Sequence, residues 1–329
     1  MKPEFSFPDL GEFQFVSEML AEAESLPCET PNRRSWIHAG DDAAQFDGWL
    51  VTKDLSVEGT HFRLDWSSVE QAVEKNIVSN VSDISAMGGT PKLALLGICL
   101  NKSWEPALKK RVAKAFREGL SKRGIVLLGG DTVAGETGMF SLTLLGLPSA
   151  TVLCRKNAQI QDKIYVAGTL GKSAAGLWIL LNHPEEKKRF SRLVEYHLSP
   201  KIVENAGIEL VRLGVKGACM DISDGLSSEL NHLASSSGVL FEVCAEKLPI
   251  DPEVVEMSHY FGLNPLDFAL NGGEEYQLLF TSSLEETIFS TNESIPVTCI
   301  GRVLSGAGVE LRTGTEKRNL AAGAFTHLR

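Results

Sequence analysis

Residues 68–89 read SVEQAVEKNIVSNVSDISAMGG, and they predict one long helix from about Ser68 to Met87. Apolar residues recur there at helical spacing: Val69, Ala72, Val73, Ile77 and Val81. Gly88-Gly89 ends the helix, because glycine readily adopts the backbone conformation that terminates helices. Asp83 lies inside this pattern although aspartate is a mediocre helix former, so its presence requires a further reason.

Outward from this helix, apolar runs of strand length alternate with further helical patterns. One strand is predicted to end at residue 52. Further strands are predicted at 93–100, 125–128, 141–147, 163–167, 217–220, 239–244, 276–281, 297–300 and 309–311. Helices are predicted from about residue 9 and at 105–123, 173–181, 202–213 and 226–234. Helices and strands mixed along the whole chain predict an α+β or α/β architecture.

Length and composition predict a globular protein of two domains. The chain has 329 residues, of which 43% are hydrophobic and 22% charged. A single core rarely extends beyond roughly 250–300 residues, and the stretch 148–151 is the candidate boundary. We therefore expect an N-terminal domain over 1–148 and a C-terminal α/β domain over 149–329.

Charge and cysteine content restrict the partners and the compartment. The formal net charge is −10, and no basic stripe suited to nucleic-acid phosphates is present. The six cysteines form no Cys-x-x-Cys pair and are typical of small buried hydrophobic residues. No signal pattern or apolar run of about 18 residues occurs. We expect a cytoplasmic protein that binds neither nucleic acid nor membrane.

Short acidic segments follow apolar stretches at six places: 40–42, 53–54, 82–83, 129–131, 221–225 and 272–275. Carboxylates beside glycine suit Mg²⁺, which takes oxygen ligands and usually keeps phosphate partners. Glycine also lets the backbone N–H groups approach phosphate oxygens. Each segment alone is equally compatible with a turn or a helix cap. If the carboxylates share one cleft, their repulsion favours a bound cation, so together they predict a metal and nucleotide site.

The segment 221–226, Asp-Ile-Ser-Asp-Gly-Leu, opens a predicted helix and has two interpretations. In the first interpretation, Ser223 or Asp224 caps the helix. In the second, Asp221 and Asp224 bind metal and Ser223 contacts nucleotide, since helix N-termini favour anions.

Three further features are weaker. Residues 168–173, Gly-Thr-Leu-Gly-Lys-Ser, resemble a P-loop, but Val166 stands where that motif requires glycine, so close helix–strand packing is favoured. Arg155 is either a phosphate-gripping guanidinium or a solvated surface group. His61 is either a structural histidine or a ligand.

Taken in order, the segments resemble the thiamine-monophosphate kinase family, within the aminoimidazole-ribonucleotide-synthetase-like superfamily. The resemblance covers about residues 38–303. The motifs that carry it are Gly-Asp-Asp at 40–42, Glu-Gly-x-His-Phe at 58–62, Asn-x-Ser-Asp-x-x-Ala-Met-Gly at 80–88, Gly-Gly-Asp-Thr at 129–132, Ser-Ala-Ala-Gly-Leu at 173–177, Asp-x-Ser-Asp-Gly-Leu at 221–226 and Gly-Gly-Glu-Glu-Tyr-Gln-Leu at 272–278.

This resemblance implies an α+β, two-domain fold of that superfamily, in which the N-terminal sheets of a homodimer join into a barrel. It assigns metal and nucleotide binding and dimerisation to the domain over 1–148. It implies phosphorylation of thiamine monophosphate to thiamine diphosphate, with ATP as co-substrate and several Mg²⁺ ions as cofactors. Phosphoryl transfer depends on alignment and charge neutralisation. The attacking group is expected to be an ionised oxygen of the substrate phosphate, so no catalytic general base is predicted.

The resemblance also assigns roles to individual residues. Metal ligands are expected at Asp42, Thr52, Lys53, Asp54, Asp83, Asp131, Asp221 and Asp224. Nucleotide contacts are expected at Gly130, Asp131, Arg155 and Ser223. Substrate contacts are expected at His61 and Glu274, with Phe325 in place of a family tryptophan that this chain lacks.

Two departures from the family pattern bear on these roles. Lys53 replaces a threonine, so only its backbone oxygen is expected to meet metal. The missing tryptophan affects the substrate side, where an aromatic face recognises a cationic ring. The alternatives are a sister ATP-dependent enzyme with another acceptor, or a non-catalytic protein that binds nucleotide or thiamine phosphate.

Overall fold

The structure is a computed structural model that describes residues 40–289 and 295–323, together with Met19, Trp36 and Ile37. The helix predicted to begin near residue 9 and the substrate contact predicted at Phe325 lie outside these residues.

Helices and strands alternate through the described chain, which confirms the mixed α+β class. The strands are β1 (Ala44–Phe46), β2 (Trp49–Val57), β3 (Gly89–Asn101), β4 (Val126–Gly135), β5 (Met139–Pro148), β6 (Lys163–Ala167), β7 (Cys219–Asp221), β8 (Leu240–Cys244), β9 (Leu278–Ser282), β10 (Val297–Leu304), β11 (Gly308–Thr313) and β12 (Glu316–Asn319). The α-helices are α1 (Val69–Ala86), α2 (Pro106–Ser121), α3 (Lys172–Asn182), α4 (Ser191–Leu198), α5 (Ala206–Arg212), α6 (Leu226–Ser237), α7 (Pro252–Phe261), α8 (Pro265–Asn271) and α9 (Glu286–Phe289).

The first sheet contains five strands in the order β1-β2-β5-β3-β4. Its inner face packs against α1 and α2 around Phe140, whose ring stacks on Phe62 at 5.1 Å and meets Phe116 edge-on at 5.3 Å. Its outer face, by contrast, exposes Leu55 and Leu95. Since successive side chains of a strand point to opposite faces, each strand contributes to both surfaces.

Helix α1 lies between the two sheets. Ser68 caps its N-terminus in a reciprocal capping box with Gln71, which agrees with the helix start predicted near Ser68. It contacts β2, β3 and β5 of the first sheet and β7 of the second. Its polar residues are therefore buried as well as its apolar ones, including Lys75, Asn76, Ser79, Asn80 and Ser82. This helix carries polar groups into the interior, which makes it central to the candidate site.

The second sheet contains seven strands in the order β12-β11-β8-β10-β6-β9-β7. All of its pairings are antiparallel except that of β8 with β11. A core of buried side chains that includes Ile164, Val166 and Phe241 packs against Leu230 of α6. The short strand β7 pairs with β9 and ends at Asp221, opposite α1.

The predicted elements agree with the structure except in the following respects. Asp54 and Asp131 do not follow strands, because β2 and β4 continue through them. Residues 125–128 were expected to form a buried strand, yet β4 is exposed along most of its length because it is the edge strand. Helix α5 begins at Ala206 rather than near residue 202. The strands β1 and β12 and the helices α4, α7, α8 and α9 were not predicted.

None of the helices within 40–289 and 295–323 is long and apolar enough to cross a membrane.

Candidate active site

Four carboxyl groups approach one another between the two sheets. Asp54 lies on the inner face of β2, Asp83 on α1, Asp221 at the end of β7, and Asp42 in the segment that precedes β1. Their mutual charge interactions connect all four across the two sheets. The structure thus brings together four of the eight predicted metal ligands, and we call these four residues the acidic cluster.

Neighbouring polar groups hold the acidic cluster in place. The Thr52 hydroxyl donates a hydrogen bond to Asp83 Oδ2, and the Ser82 hydroxyl donates one to Asp221 Oδ2. The backbone N–H of Asp54 donates to Asn80 Oδ1 at 3.2 Å. Thr52 is therefore also at the site, as predicted, because it lies two residues from Asp54 on the same face of β2.

The acidic cluster is a concentration of carboxyl groups without enough counter-charge to ionise together. Burial, and then the charges of Asp54, Asp221 and Asp42, raises the pKa of Asp83 well above its ordinary value. Burial, and then Asp42, does the same to the pKa of Asp221. Burial also raises the pKa of Asp54. Carboxylates arranged in this way repel one another, so a bound cation would stabilise their ionised forms.

Arg155 supplies positive charge at one end of the acidic cluster. Its side chain contacts Asp42 Oδ1 through Nη2 and through Nε, the latter at 3.1 Å, while its backbone N–H donates to Asp41 Oδ1 at 2.6 Å. Burial nevertheless outweighs this guanidinium and raises the pKa of Asp42 to about 6. The second oxygen, Asp42 Oδ2, is buried without a hydrogen-bond partner. An unpartnered buried oxygen is a fitting ligand for a hard cation.

The acidic cluster is not a closed metal cage. Among residues 40–289 and 295–323, no three Asp, Glu, His or Cys side chains stand close enough together to hold a metal ion by themselves. Mg²⁺ usually binds through one or two carboxylates together with substrate phosphates and water. The oxygen donors, the repulsion among them and the unpartnered Asp42 Oδ2 therefore fit Mg²⁺ that is shared with a phosphorylated ligand.

Two loops of the C-terminal half pair beside the acidic cluster. The backbone N–H groups of Glu274 and Tyr276 donate to the carbonyls of Ser223 and Ile222, at 2.6 and 2.8 Å. Gly273 is required here, since a Cβ atom would lie 2.6 Å from the Ser223 carbonyl oxygen. These contacts join the predicted nucleotide contact at Ser223 to the predicted substrate contact at Glu274.

Glu229 of α6 holds the first of these loops. Its Oε1 accepts hydrogen bonds from the backbone N–H groups of Ser223 at 3.0 Å and Asp224 at 2.7 Å. Burial raises the pKa of Glu229 to about 8. This side chain therefore holds the loop that precedes α6. The N-cap of α6 is Gly225 and receives no side-chain hydrogen bond, so the interpretation of Ser223 or Asp224 as the cap is wrong.

The predicted substrate contacts, His61 and Glu274, meet through Lys75. The Lys75 ammonium donates to Glu274 Oε2 at 2.6 Å and to the His61 carbonyl at 3.4 Å. Burial alone would raise the pKa of Glu274, but the Lys75 ammonium lowers it below its ordinary value. The His61 ring is oriented because its Nδ1 accepts a hydrogen bond from the Val57 N–H at 3.2 Å.

Gly130, Asp131 and the side chain of Lys53 are not brought to the acidic cluster within one chain. Asp131 pairs through Gly97 and Ser141 with Leu55, so its side chain belongs to the outer face of the sheet. Three strand spacings put it about 14 Å from the inner-facing Asp54. At Gly130, a Cβ atom would lie 1.9 Å from the Leu96 carbonyl oxygen, so strand packing alone requires this glycine.

Lys53 is adjacent to Asp54 in sequence but points to the opposite face of β2. Its ammonium donates to the hydroxyls of Ser141 and Thr143 on β5, the latter at 3.4 Å. The lysine therefore does not place its charge among the inner-face carboxylates, which removes the conflict expected from a cation beside Asp54.

Residues 168–173 do not form a P-loop, as the missing glycine indicated, and a carboxylate occupies the N-terminus of α3. Glu275 Oε1 accepts the backbone N–H of Ser173 at 2.9 Å. The small residues of α3 serve helix–helix packing instead of the predicted helix–strand packing. A Cβ atom on Gly176 would lie 2.2 Å from the Leu193 carbonyl oxygen of α4.

Several residues at the site were missed in the sequence. Lys75 shares α1 with Asp83, and Glu229 follows the 221–226 motif within α6. Tyr276 is buried beside Glu274 and the acidic cluster, and burial, followed by these carboxylates, raises its pKa well above the ordinary value. A signal was available for Lys75, since polar residues recur at helical spacing at 75, 79 and 82.

Comparison with known proteins identifies close relatives. The family model described as AIR synthase related protein, N-terminal domain, matches residues 40–147. The thiamine-monophosphate kinase of Aquifex aeolicus (strain VF5) is 37% identical over 278 residues, covering 82% of this chain and 87% of that protein. That of Methanopyrus kandleri is 34% identical over 294 residues, covering 88% and 89%. A solved structure described as AaThiL complexed with AMPPCP and TMP matches with a TM-score of 0.82 and 33% identity, covering 98% of this chain and 99% of that one.

Proposed function

The chain belongs to the thiamine-monophosphate kinase family, and from this membership and its site we propose that it transfers a phosphoryl group from ATP to thiamine monophosphate. The products are thiamine diphosphate and ADP. The observation that carries the proposal is the acidic cluster, which lies beside the paired loops of Ser223 and Glu274. The described relative with bound AMPPCP and TMP agrees with it, since AMPPCP has the shape of ATP.

Mg²⁺ is proposed as the cofactor, because phosphoryl transfer requires neutralisation of phosphate charge. Asp42, Asp54, Asp83 and Asp221 would hold it with Thr52 and Asp224 nearby. Lys53 would contribute only its backbone oxygen, because its side chain points away. When bound, the metal would bring the phosphates to the carboxylates and offset their combined negative charge.

Nucleotide contacts are proposed at Arg155, Ser223, Gly130 and Asp131. Arg155 lies at the acidic cluster, where its guanidinium can shift between a carboxylate and a phosphate. Gly130 and Asp131 lie instead on the exposed strand β4. Asp131 is therefore assigned to the part of the nucleotide site that borders the subunit interface proposed below.

Acceptor contacts are proposed at His61 and Glu274, with Phe325 as a further aromatic contact. Gly323, two residues earlier, lies against Asn271 and donates its N–H to Ser227 Oγ at 3.1 Å. Asn271 directly precedes the Gly272–Gln277 segment, so the chain reaches the acceptor side of the site shortly before Phe325.

The chain's own groups orient the reaction. A terminal oxygen of the acceptor phosphate attacks the γ-phosphorus of ATP, and the bond from that phosphorus to the β–γ bridging oxygen breaks. The acceptor phosphate is ionised near neutral pH, so no side chain has to remove a proton. Alignment of the two phosphates between the 221–225 loop and the inner face of β2 is the contribution of the protein.

A homodimer joined through the first sheet is also proposed. Edge strand β4 exposes Val126, Leu128 and Val133, and the adjoining outer face exposes Leu55 and Leu95. A long exposed edge with apolar side chains favours association with another sheet. Pairing of two such sheets would close the barrel that the resemblance implies, and sedimentation of the purified protein would measure its subunit number.

Three broader expectations accompany the function. We propose domains over 1–148 and 149–329, since the strands of the first sheet end at Pro148 and those of the second begin at Lys163. We propose a cytoplasmic location because the described cysteines are unpaired: Cys99, Cys154, Cys219, Cys244 and Cys299. The net charge of −10 favours small anionic ligands held through metal over nucleic acid.

The direct experiment incubates the purified protein with ATP, Mg²⁺ and thiamine monophosphate and detects thiamine diphosphate by mass. Formation of product that stops when EDTA removes Mg²⁺ is the expected result. Release of ADP only with a different phosphorylated acceptor would identify a sister enzyme. Nucleotide binding with no ADP release from any acceptor would identify a non-catalytic binding protein.

A further inference from the structure

We infer that Lys75 is a positioning residue that fixes Glu274 and His61 relative to each other on the acceptor side of the site. This inference rests on the proposed function, since it concerns the same acceptor. Helix α1 would thus position the acceptor contacts through Lys75 as well as contribute Asp83 to the acidic cluster.

The first argument is the burial of Lys75 and the partners of its ammonium. The side chain is 6% exposed, and its ammonium lies 2.6 Å from Glu274 Oε2. The same ammonium donates to the His61 carbonyl at 3.4 Å. A lysine is rarely buried unless it is paired. Here its two acceptors belong to the two predicted acceptor contacts, which come from different halves of the chain.

The second argument is a buried histidine that contacts the same carboxylate oxygen. His197 Nδ1 lies 3.5 Å from Glu274 Oε2 and 3.1 Å from Ser173 Oγ. Burial, and then Lys75, lowers the pKa of His197 to about 3, so the ring is neutral near physiological pH. Ser173 belongs to the Ser-Ala-Ala-Gly-Leu motif at 173–177, which had no functional explanation. The Ser173 hydroxyl contacts the ring of His197, which in turn contacts Glu274.

The third argument is the orientation of the Glu274 carboxylate. Lys75 and His197 both contact Oε2, whereas no hydrogen-bond donor within the described chain reaches Oε1. The Glu274 side chain is 27% exposed. One oxygen is thus fixed by Lys75 and His197, which leaves the other available to a ligand. A free carboxylate oxygen suits an N–H donor or a cationic ring of the acceptor.

The fourth argument is the backbone of the same loop. Glu274 and Tyr276 have φ angles of 59° and 53°, in the left-handed region that non-glycine residues seldom adopt. Such conformations persist only where surrounding contacts impose them, and they concentrate at functional sites. The pairing with Ser223 and Ile222 imposes the backbone conformation. Lys75 then fixes the direction of the side chain.

The test is a double-mutant cycle on Lys75→Met and Glu274→Gln in the full chain. KM and kcat are measured for thiamine monophosphate at saturating Mg-ATP, and KM for ATP at saturating acceptor. We expect each single variant to raise the acceptor KM about tenfold or more, as the loss of a hydrogen bond to a charged group predicts. The double variant should lie within about threefold of Glu274→Gln, because Lys75 acts through Glu274. The KM for ATP should change by less than about threefold, since ATP contacts lie elsewhere.

Lys122→Met is the matched control. The Lys122 side chain is 55% exposed and its ammonium lies 2.7 Å from Glu74, the neighbour of Lys75 in α1. This variant should leave both KM values unchanged. Should Lys75→Met fail to fold, the double variant removes both buried charges and is still compared with Glu274→Gln.

The outcomes separate this inference from the proposed function. An unchanged acceptor KM in Lys75→Met, or a double variant more than about tenfold worse than Glu274→Gln, overturns the role of Lys75 while leaving the kinase intact. An unchanged acceptor KM in Glu274→Gln overturns the Glu274 assignment and the inference with it. Absence of any kinase activity in the unmodified protein overturns the proposed function itself.

Discussion

The acidic cluster and the Lys75–Glu274 pair are both buried beside α1, yet their charges are balanced in opposite ways. Burial, and then the charges of Asp42 and Asp54, raises the pKa of both Asp83 and Asp221. In the other region, Lys75 lowers the pKa of Glu274 despite burial. At the proposed acceptor side the protein therefore supplies its own counter-charge, whereas at the acidic cluster we propose that a ligand supplies it.

This difference predicts opposite effects of removing a charge. Neutralising one carboxylate of the acidic cluster relieves repulsion, so it favours the folded protein while it damages the function. Removing Lys75 leaves a buried carboxylate without its counter-charge, so it disfavours the folded protein. Removing one carboxylate charge from the acidic cluster should thus raise stability and lower activity. Removing the charge of Lys75 should lower both.

The largest effect is expected for Asp83→Asn. Its kcat/KM should fall at least about 100-fold, or roughly 2.7 kcal/mol of transition-state stabilisation, because a predicted metal ligand is lost. Its Tm without Mg²⁺ should rise, because one of the repelling charges is gone. Both are measured beside Asp65→Asn, whose exposed carboxylate pairs with Arg63 and which should change neither quantity. A lower Tm together with unaltered turnover would contradict the description of the acidic cluster.

The next effect concerns the free energy of unfolding of Lys75→Met. Breaking a buried ion pair by removing one partner costs about 3–5 kcal/mol, so urea unfolding should show a loss near the lower value. Lys122→Met breaks an exposed pair with Glu74 and should cost less than about 1 kcal/mol. Equal losses for the two variants would mean that the Lys75–Glu274 pair is no more important to the fold than a surface pair.

A smaller effect is expected in the pH dependence of stability at Glu275, which caps α3. Burial raises its pKa from 4.5 to about 8, and its Oε2 is buried without a partner. The folded state therefore holds a proton between pH 4.5 and 8 that the unfolded state releases, so this group makes stability fall as pH rises through that window.

Glu275→Gln should reduce that decline by up to about 1.4 kcal/mol per pH unit. Urea unfolding at pH 5.5 and pH 7.5, relative to wild type, measures the change. Glu195→Gln, on the exposed face of α4, is the control and should retain the wild-type slope. A Glu275→Gln slope as steep as that of wild type would show that Glu275 ionises in the folded protein as it does in the unfolded chain.

Much of this arrangement was predictable from the sequence. The order of the motifs predicted the fold and the family, and the comparisons confirm both. The helix over 68–87 was predicted to within one residue at either end, because Ser68 and Gly88 provide clear boundary signals. Asp83 was recognised because aspartate is unfavourable inside a helix and required a reason.

The remaining features depend on contacts between segments distant in sequence. The hydrophobic run at 125–128 predicted burial, but apolar character does not distinguish a core strand from an exposed edge strand. Lys53 and Asp54 are neighbours whose side chains occupy opposite faces, which only the extent of β2 reveals. Lys75 was missed because α1 is buried on both sides, so the rule of one apolar face does not apply.

The most direct test of the unbalanced acidic cluster compares the thermal unfolding of wild type and Asp83→Asn with and without Mg²⁺ and ATP. The account predicts that Mg-ATP raises the wild-type Tm. At 100 times the Kd of Mg-ATP, binding stabilises the folded protein by about 2.7 kcal/mol. A clearly smaller rise is predicted for Asp83→Asn, which starts from a higher Tm. No rise in wild type at saturating Mg-ATP, or the same rise in both proteins, would contradict the claim that the acidic cluster is completed by a ligand-borne cation.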